Sequence, residues 1–142
     1  MGSGFGNKWD EKGHNQIVQI FICHGYYVNS IQFQYAENGN RVLSTRHGEG
    51  SNNNGSKLDA VKLNYPSEYI TWISGKKNKI NGYLQSITFG TNRGEYGPFG
   101  QSPSCSNEFT FRLGERQFGG FHGTADSLSV TSIGVYLKPI TI

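Results

Sequence analysis

The stretch Asn29-Ser30-Ile31-Gln32-Phe33 has two further copies in this chain, Gln85-Ser86-Ile87-Thr88-Phe89 and Thr131-Ser132-Ile133-Gly134-Val135. Each copy is a polar residue, then Ser-Ile, then a small or polar residue, then a large apolar one. This alternation with period two predicts a strand that buries one face. An apolar residue shortly before a glycine precedes each copy, as Ile22 to Gly25, Ile73 to Gly75 and Phe121 to Gly123. The repeated unit is therefore strand, glycine-marked loop, strand, and three units predict a threefold β architecture.

Length and composition agree with one β-rich domain that spans residues 1–142. Twenty glycines, nine phenylalanines and eight tyrosines stand against a single methionine. No segment longer than a few residues has helical apolar spacing, so we expect an all-β fold of about ten to twelve short strands. Asn38-Gly39 predicts a two-residue hairpin turn, because both residue types tolerate positive φ. We expect residues 1–8 to be an irregular glycine-rich segment, and residues 46–57 and 94–106 to be loops or turns.

Charge and cysteine usage exclude several classes of function. The net charge is only +3, and the one basic cluster, residues 76–79, is typical of a solvated loop, so we expect no nucleic-acid partner. Cys23 lies in an apolar run, and neither it nor Cys105 has metal-ligand spacing, which predicts a buried reduced thiol at Cys23 and no metal or other cofactor. No stretch has the length of a membrane span or the apolar core of a secretory signal, so we expect a cytoplasmic or nucleocytoplasmic protein without membrane insertion.

The residues assembled in this way resemble the plant jacalin-related lectins across essentially the whole chain. Matching segments are Gly6–Asp10 (Gly-Asn-Lys-Trp-Asp), Pro66–Thr71 (Pro-Ser-Glu-Tyr-Ile-Thr), Tyr96–Gly100 (Tyr-Gly-Pro-Phe-Gly), Gly119–Gly123 (Gly-Gly-Phe-His-Gly) and Ser132–Pro139 (Ser-Ile-Gly-Val-Tyr-Leu-Lys-Pro). These sequence segments are especially similar to those of the jacalin-like proteins that restrict viral movement. The resemblance implies a β-prism of three four-stranded antiparallel sheets with pseudo-threefold symmetry, which agrees with the triple motif.

The resemblance also implies a sugar site at one end of the prism. In mannose-binding members, a Gly-x-x-x-Asp segment supplies backbone N–H groups and a carboxylate, and a glycine near the N-terminus, matched here by Gly6, adds a donor. A carboxylate suits sugars because it accepts charge-assisted hydrogen bonds from neighbouring hydroxyls. The chain runs continuously through Gly6, as in members of mannose or glucose type rather than in cleaved galactose-type members.

The chain departs from this motif at its most important position. Thr131 stands where the family has aspartate, Ser127 stands four residues earlier, and the loop looks one residue longer. Asp126 is an alternative carboxylate, although aspartate is also a common turn-former, and the sequence leaves both interpretations open. The candidate sugar-binding residues are Gly6, Gly123, Thr124, Asp126, Ser127, Leu128 and Thr131, with help from the loop at residues 76–82.

The first copy of the motif supplies a second candidate site, formed by Gly25, Tyr26, Tyr27 and Asn29. Asn29 occupies the position equivalent to the aspartate, and its amide can both accept and donate hydrogen bonds. Tyr26 or Tyr27 could stack on the apolar face of a sugar ring, and the alternative is that both tyrosines only pack the loop.

Two functional classes remain, and neither is an enzyme. The four histidines have no metal-ligand or nucleophile-pair spacing, and the position of His24 and His122 before loop glycines favours a repeated structural role. The first class is a lectin for mannose- or glucose-containing glycans that acts in plant defence. The second is a protein-interaction or defence module on the same fold whose sugar site is weakened or lost. Family members often pair, which leaves a homo-oligomer open.

Overall fold

Twelve β-strands build the part of the chain that the computed structural model describes, namely residues 7–11, 16–48, 57–101, 106–112, 116–126 and 129–138. The strands are β1 (Asn7–Asp10), β2 (Gln16–His24), β3 (Val28–Glu37), β4 (Asn40–Leu43), β5 (His47–Gly48), β6 (Lys57–Lys62), β7 (Ile70–Asn78), β8 (Leu84–Thr91), β9 (Glu95–Gly100), β10 (Ser106–Arg112), β11 (Phe118–Ala125) and β12 (Val130–Leu137). Within these residues, no helix reaches the length and apolar character needed to span a membrane.

The strands form three antiparallel sheets around a common core, which confirms the predicted three-sheet β-prism. The sheet orders are β4-β3-β2-β6 with β5 also on β3, β10-β7-β8-β9, and β1-β11-β12. The central hairpins β2–β3, β7–β8 and β11–β12 each contain one copy of the Ser-Ile motif. The first sheet has five strands because β4 and β5 pair in succession with different parts of β3.

The motif residues occupy the faces that period two predicts. Ile31, Phe33, Ile87 and Phe89 are all fully buried. In the third copy Ile133 is buried, while Val135 and Leu137 are only partly covered. The alternation therefore predicts correctly which face of each sheet packs into the core. The core-facing residues of the third copy are less completely buried than those of the other two.

The predicted hairpin turn is found, and Cys23 is buried as predicted. Asn38 and Gly39 have φ values of +51° and +83° between β3 and β4, as a two-residue turn of mirror-image type requires. Cys23 is 5% exposed. Cys105 lies outside the described residues.

Several boundaries differ from the sequence expectations. Asn7 and Lys8 belong to β1, which pairs with β11, so the irregular segment expected up to residue 8 is shorter. Within the expected turn region 94–106, Glu95–Gly100 forms β9, and positive φ at Gly97 and Gly100 (+120° and +104°) allows its close approach to β8. Within the expected loop 46–57, His47–Gly48 pairs with β3. Residues 49–56 of this loop lie outside the described part.

Gly90 on β8 lies opposite Trp72 on β7, and the indole covers it. A Cβ at residue 90 would lie 1.9 Å from the Trp72 ring, so the ring or the strand would have to shift. We expect Gly90→Ala to lower the free energy of unfolding by about 1–3 kcal/mol. Urea denaturation measures the change. Gly94→Ala is the matched control because nothing lies within 4 Å of its Cβ position; equal effects at both sites would contradict the steric argument.

Glu68 is a buried carboxylate that joins the loop before β7 to β8 and β9. Its oxygens accept hydrogen bonds from Thr91 Oγ1 (2.7 Å), Tyr96 Oη (2.8 Å) and the Asn64 N–H (3.0 Å). Burial opposes ionisation, but these hydrogen bonds outweigh it and hold the pKa of Glu68 below its ordinary 4.5. A lowered pKa stabilises the fold above the unfolded-state pKa, and this contribution is lost as the pH falls through the folded-state pKa.

We therefore expect stability to decline as the pH falls below about 4.5. Glu68→Gln should flatten this part of the pH dependence and cost about 1–3 kcal/mol at neutral pH, since buried donors lose a charged acceptor. Urea unfolding at a series of pH values provides the measurement. The exposed Glu108→Gln variant should retain the wild-type profile, and a wild-type profile in Glu68→Gln would refute the assignment.

Candidate functional site

Three loops meet at one end of the prism, one from each central hairpin. They are the β2–β3 loop at residues 25–27, the β7–β8 loop at residues 79–83, and the β11–β12 loop, which is described at Asp126 and Ser129. Side chains link all three loops. Asn81 Nδ2 donates to Tyr27 Oη (2.8 Å), and Asn29 Nδ2 donates to Ser129 Oγ (3.3 Å). The two candidate sites predicted from the sequence therefore lie in one connected cluster.

The side chains at the three positions before the motif serines form hydrogen bonds within the protein; these residues are Asn29, Gln85 and Thr131. Gln85 is fully buried, donates to the Tyr26 carbonyl (2.6 Å) and accepts from Asn78 Nδ2 (3.1 Å). Thr131 is 4% exposed, and its hydroxyl lies 2.6 Å from the Thr124 hydroxyl. Thr124 also contacts the Ser132 hydroxyl at 2.7 Å. Position 131, where the resemblance implies the motif aspartate, is thus occupied by a buried, internally bonded hydroxyl.

Asp126 is built into the β11–β12 turn and also faces a neighbouring loop. Its Oδ1 accepts from the Ser129 N–H (3.0 Å), and its own N–H donates to the Ser129 carbonyl (3.0 Å). Asp126 also lies near Tyr83 of the β7–β8 loop: burial, a side-chain interaction with Asp126 and the Asp126 charge raise the pKa of Tyr83. A carboxylate can accept about four hydrogen bonds, so the turn-forming role and a sugar-binding role are compatible.

Asp126 lies at one side of a cleft of about 340 Å³. The cleft is formed by three segments, the start of β1, the region around β5 and the end of β11. Its lining residues are Asn7, Lys8, Trp9, Arg46, His47, Gly48, Ala125 and Asp126. Among them, Asp126 is the one carboxylate.

The His47 ring is held firmly beside this cleft. It stacks on Trp9 with centroids 4.4 Å apart and planes inclined by 11°. Its Nε2 lies 2.5 Å from Glu11 Oε2, and Glu11 Oε1 accepts from Tyr35 Oη (3.3 Å). Because Glu11 is buried and shared between these two partners, the wall formed by Trp9 and His47 is fixed by side chains from outside the cleft.

Tyrosine rings form the outer part of the loop cluster. Tyr26 is 66% exposed and meets Tyr27 edge to face at 5.5 Å, while Tyr27 meets Tyr83 in the same way at 5.1 Å. Tyr26 therefore offers an exposed ring, and Tyr27 and Tyr83 pack between the loops. The Gly25 N–H donates to the Tyr27 carbonyl and closes the turn at 3.0 Å.

The remaining residues predicted from the sequence either have a structural role or lie outside the described residues. A Cβ at Gly123 would lie 2.2 Å from the Ser132 carbonyl oxygen and 2.8 Å from Trp9, so glycine is needed for close strand approach. Gly6, Ser127 and Leu128 lie outside the described residues. Sequence reasoning missed Lys8, Arg46 and His47 at the cleft and did not include Tyr83 among the candidate residues. Only Tyr83 carried a signal, as the residue after the loop glycine in the second copy.

His24, at the end of β2, and His122, within β11, each contact a neighbouring strand. The Gly100 N–H donates to His24 Nδ1 (3.0 Å), so Nδ1 is unprotonated and Nε2 carries the proton that points to Asp59 Oδ2 (2.7 Å). The His122 ring covers Gly134. Both positions agree with the expected structural role. Within the described ranges, no group of three or more acidic, histidine or cysteine residues has the arrangement of a metal site.

Comparison with known proteins defines the class. A family model for the jacalin-like lectin domain matches residues 1–136. The chain belongs to this family, whose members are not enzymes. It is 49% identical over 140 residues to the protein RESTRICTED TEV MOVEMENT 1 of Arabidopsis thaliana, covering 94% of this chain and 79% of the relative. It is 45% identical over 147 residues to jacalin-related lectin 2 of the same plant, covering 94% and 78%.

Solved structures agree with the fold. A mannose-specific jacalin-related lectin from Morus nigra, in complex with mannose, matches with a TM-score of 0.81 and 26% identity. The match covers 94% of this chain and 88% of that lectin. The architecture is therefore that of sugar-binding β-prism lectins.

The Tyr83–Asp126 contact can be tested by titration. Asp126→Asn removes the negative charge that opposes formation of the Tyr83 phenolate, so the pKa of Tyr83 should fall toward its ordinary 10.0. NMR titration with ¹³C-labelled tyrosine measures the value. Asp10→Asn is the control: it should lower the pKa of Tyr136, whose hydroxyl donates to Asp10 (3.0 Å), and leave Tyr83 unchanged. An unaltered Tyr83 titration in Asp126→Asn would contradict the contact.

Proposed function

We propose that the protein is a lectin that binds mannose- or glucose-type sugars at the loop end of the prism, with Asp126 as the carboxylate acceptor. The observation that carries this proposal is the position of Asp126 on the cleft between β1 and the end of β11. The family resemblance implies a sugar held between the N-terminal glycine segment and the β11–β12 loop, and residues of β1 and of the end of β11 line this cleft. Asp126 would therefore replace the missing motif aspartate from five residues earlier in the same loop.

The physical case rests on charge and preorganisation. Hydrogen bonds from sugar hydroxyls to a carboxylate are stronger than those between neutral groups. The Ser129 N–H holds the Asp126 side chain in place before a ligand arrives, which lowers the entropy cost of binding. Mannose binding by the Morus nigra relative supports a ligand of this class.

A protein-interaction role is the second candidate, and one observation favours it. Thr131 stands at the position of the family carboxylate, and its buried hydroxyl is bonded to Thr124 rather than directed to solvent. A fold that has closed this position could serve plant defence through a protein partner. The name of the relative RESTRICTED TEV MOVEMENT 1 refers to restricted movement of a virus and supports this alternative.

The test is the binding of methyl α-D-mannopyranoside and methyl α-D-glucopyranoside, measured by isothermal titration calorimetry. Asp126→Asn keeps the shape of the side chain and an oxygen for the Ser129 N–H, but it loses the charge. We expect affinity to fall about tenfold or more, as hydrogen bonds to charged groups contribute about 1.5–3 kcal/mol. Glu95→Gln, which removes one exposed negative charge from β9, should bind like the wild type.

The outcomes separate the two candidates. A wild-type protein that binds neither sugar, even at high concentration, would refute the lectin proposal and favour the interaction module. If sugars bind and Asp126→Asn has no effect, the acceptor lies elsewhere in the cluster.

In that case Tyr26→Ala and Asn29→Ala test the second candidate site. Tyr26 is exposed and supplies a ring for stacking, whereas Asn29 supplies an amide already near Ser129. A loss of affinity in either variant, together with wild-type affinity in Asp126→Asn, would place the sugar over the β2–β3 loop. Thermal melting curves of both variants control for loss of fold.

A further inference from the structure

The cleft beside Asp126 contains two basic side chains from separate segments. Lys8 comes from β1, and Arg46 directly precedes β5. Both are exposed, and neither forms an ion pair with any residue in the described part of the chain. Two cations that face one cleft repel each other mildly, so an anion between them would be favoured.

The acidic groups nearby do not cancel this charge. Among the described residues that line the cleft Asp126 is the one carboxylate, and the Ser129 N–H donates to it. Glu11 is buried behind the wall, where it is shared between His47 Nε2 and Tyr35 Oη. The cleft therefore combines one anionic hydrogen-bond acceptor with two basic donors.

We propose that this cleft is a subsite for an anionic sugar, in which Lys8 and Arg46 bind a carboxylate or sulfate group while Asp126 accepts hydrogen bonds from hydroxyls. The proposal rests on the proposed lectin function and names the ligand class of the same site. A volume of about 340 Å³ lies within the usual range of small-molecule sites. Its arrangement suits a ligand that carries both hydroxyl groups and a negative charge, such as a uronic acid or a sulfated hexose.

The two cations have different roles in this recognition. The Arg46 guanidinium has planar, paired N–H donors that match the two oxygens of a carboxylate or sulfate. Lys8 adds a flexible point charge from β1. The stacked Trp9 and His47 rings also line the cleft. Because both cations are exposed, the gain is modest and sensitive to salt, amounting to about three- to tenfold in affinity.

Isothermal titration calorimetry on the full chain tests the subsite with three probes. They are methyl α-D-glucopyranoside, methyl α-D-glucuronoside and glucose 6-sulfate. At low salt we expect one or both anionic probes to bind about three- to tenfold more tightly than the neutral glucoside. The probe that shows the preference identifies the anionic group. The preference should shrink when sodium chloride is raised to about 0.3 M, where screening is stronger.

Variants locate the effect. The double variant Lys8→Gln/Arg46→Gln should bind the charged and neutral probes equally, and Lys8→Glu should disfavour the anionic ones. Lys62→Gln is the matched control, since it removes one exposed positive charge from β6, a strand that does not line the cleft. Thermal melting of each variant checks that the fold is intact.

The outcomes distinguish this inference from the function on which it rests. If the neutral glucoside binds and neither anionic probe binds more tightly, the anionic subsite is refuted and the lectin proposal stands. If none of the probes binds, the lectin proposal fails and the subsite with it. If the double variant still prefers the anionic probes, the assignment of anion binding to Lys8 and Arg46 is wrong, because the positive charge that binds them would then lie elsewhere.

Discussion

The core depends on a contact among three phenylalanines, one from each sheet. Phe33 stacks on Phe121 at 5.1 Å, and Phe89 meets the Phe121 ring edge to face at 6.2 Å. All three side chains are fully buried. Loss of one such ring typically costs about 3–5 kcal/mol, a large share of the roughly 5–15 kcal/mol that stabilises a domain. The sheets can close into a prism because these rings fill the space where all three meet.

A central hairpin recurs in all three sheets, but the side chains at this contact do not repeat in the same places. The cross-strand pairs at the core are Ile20–Phe33, Ile73–Phe89 and Phe121–Val135. In the third pair the large ring comes from the first strand instead of the second. Each pair still combines one aromatic and one β-branched residue, so the core keeps a similar volume, as packing requires. Alternation in the sequence could predict the buried faces, but it could not predict which strand supplies the ring.

Strand β1 shows a second limit of sequence reasoning. Trp9 is its one large apolar residue, and it lies opposite Gly123, just as Phe109 of β10 lies opposite Gly75. In both sheets an aromatic side chain from an outer strand fills the space beside a glycine. The corresponding pair in the first sheet is Asp59 and Ile22, where no such space exists. Because the strand character of β1 depends on this partner far along the chain, the local sequence predicted an irregular segment instead.

The same dependence on distant partners explains why the fold was easier to predict than the site. The residue before each motif serine could be located from the repeat, but its hydrogen bonds could not: Gln85 bonds to the carbonyl of Tyr26, 59 residues away. Asp126 likewise interacts with Tyr83, which lies in the loop between two strands of another sheet. The β7–β8 loop that carries Tyr83 is itself shaped by Asn78, whose Oδ1 accepts the N–H groups of Ile80 (2.8 Å) and Asn81 (3.1 Å). The position of the candidate sugar acceptor is therefore set jointly by two sheets, so packing between the sheets contributes directly to the geometry of the site.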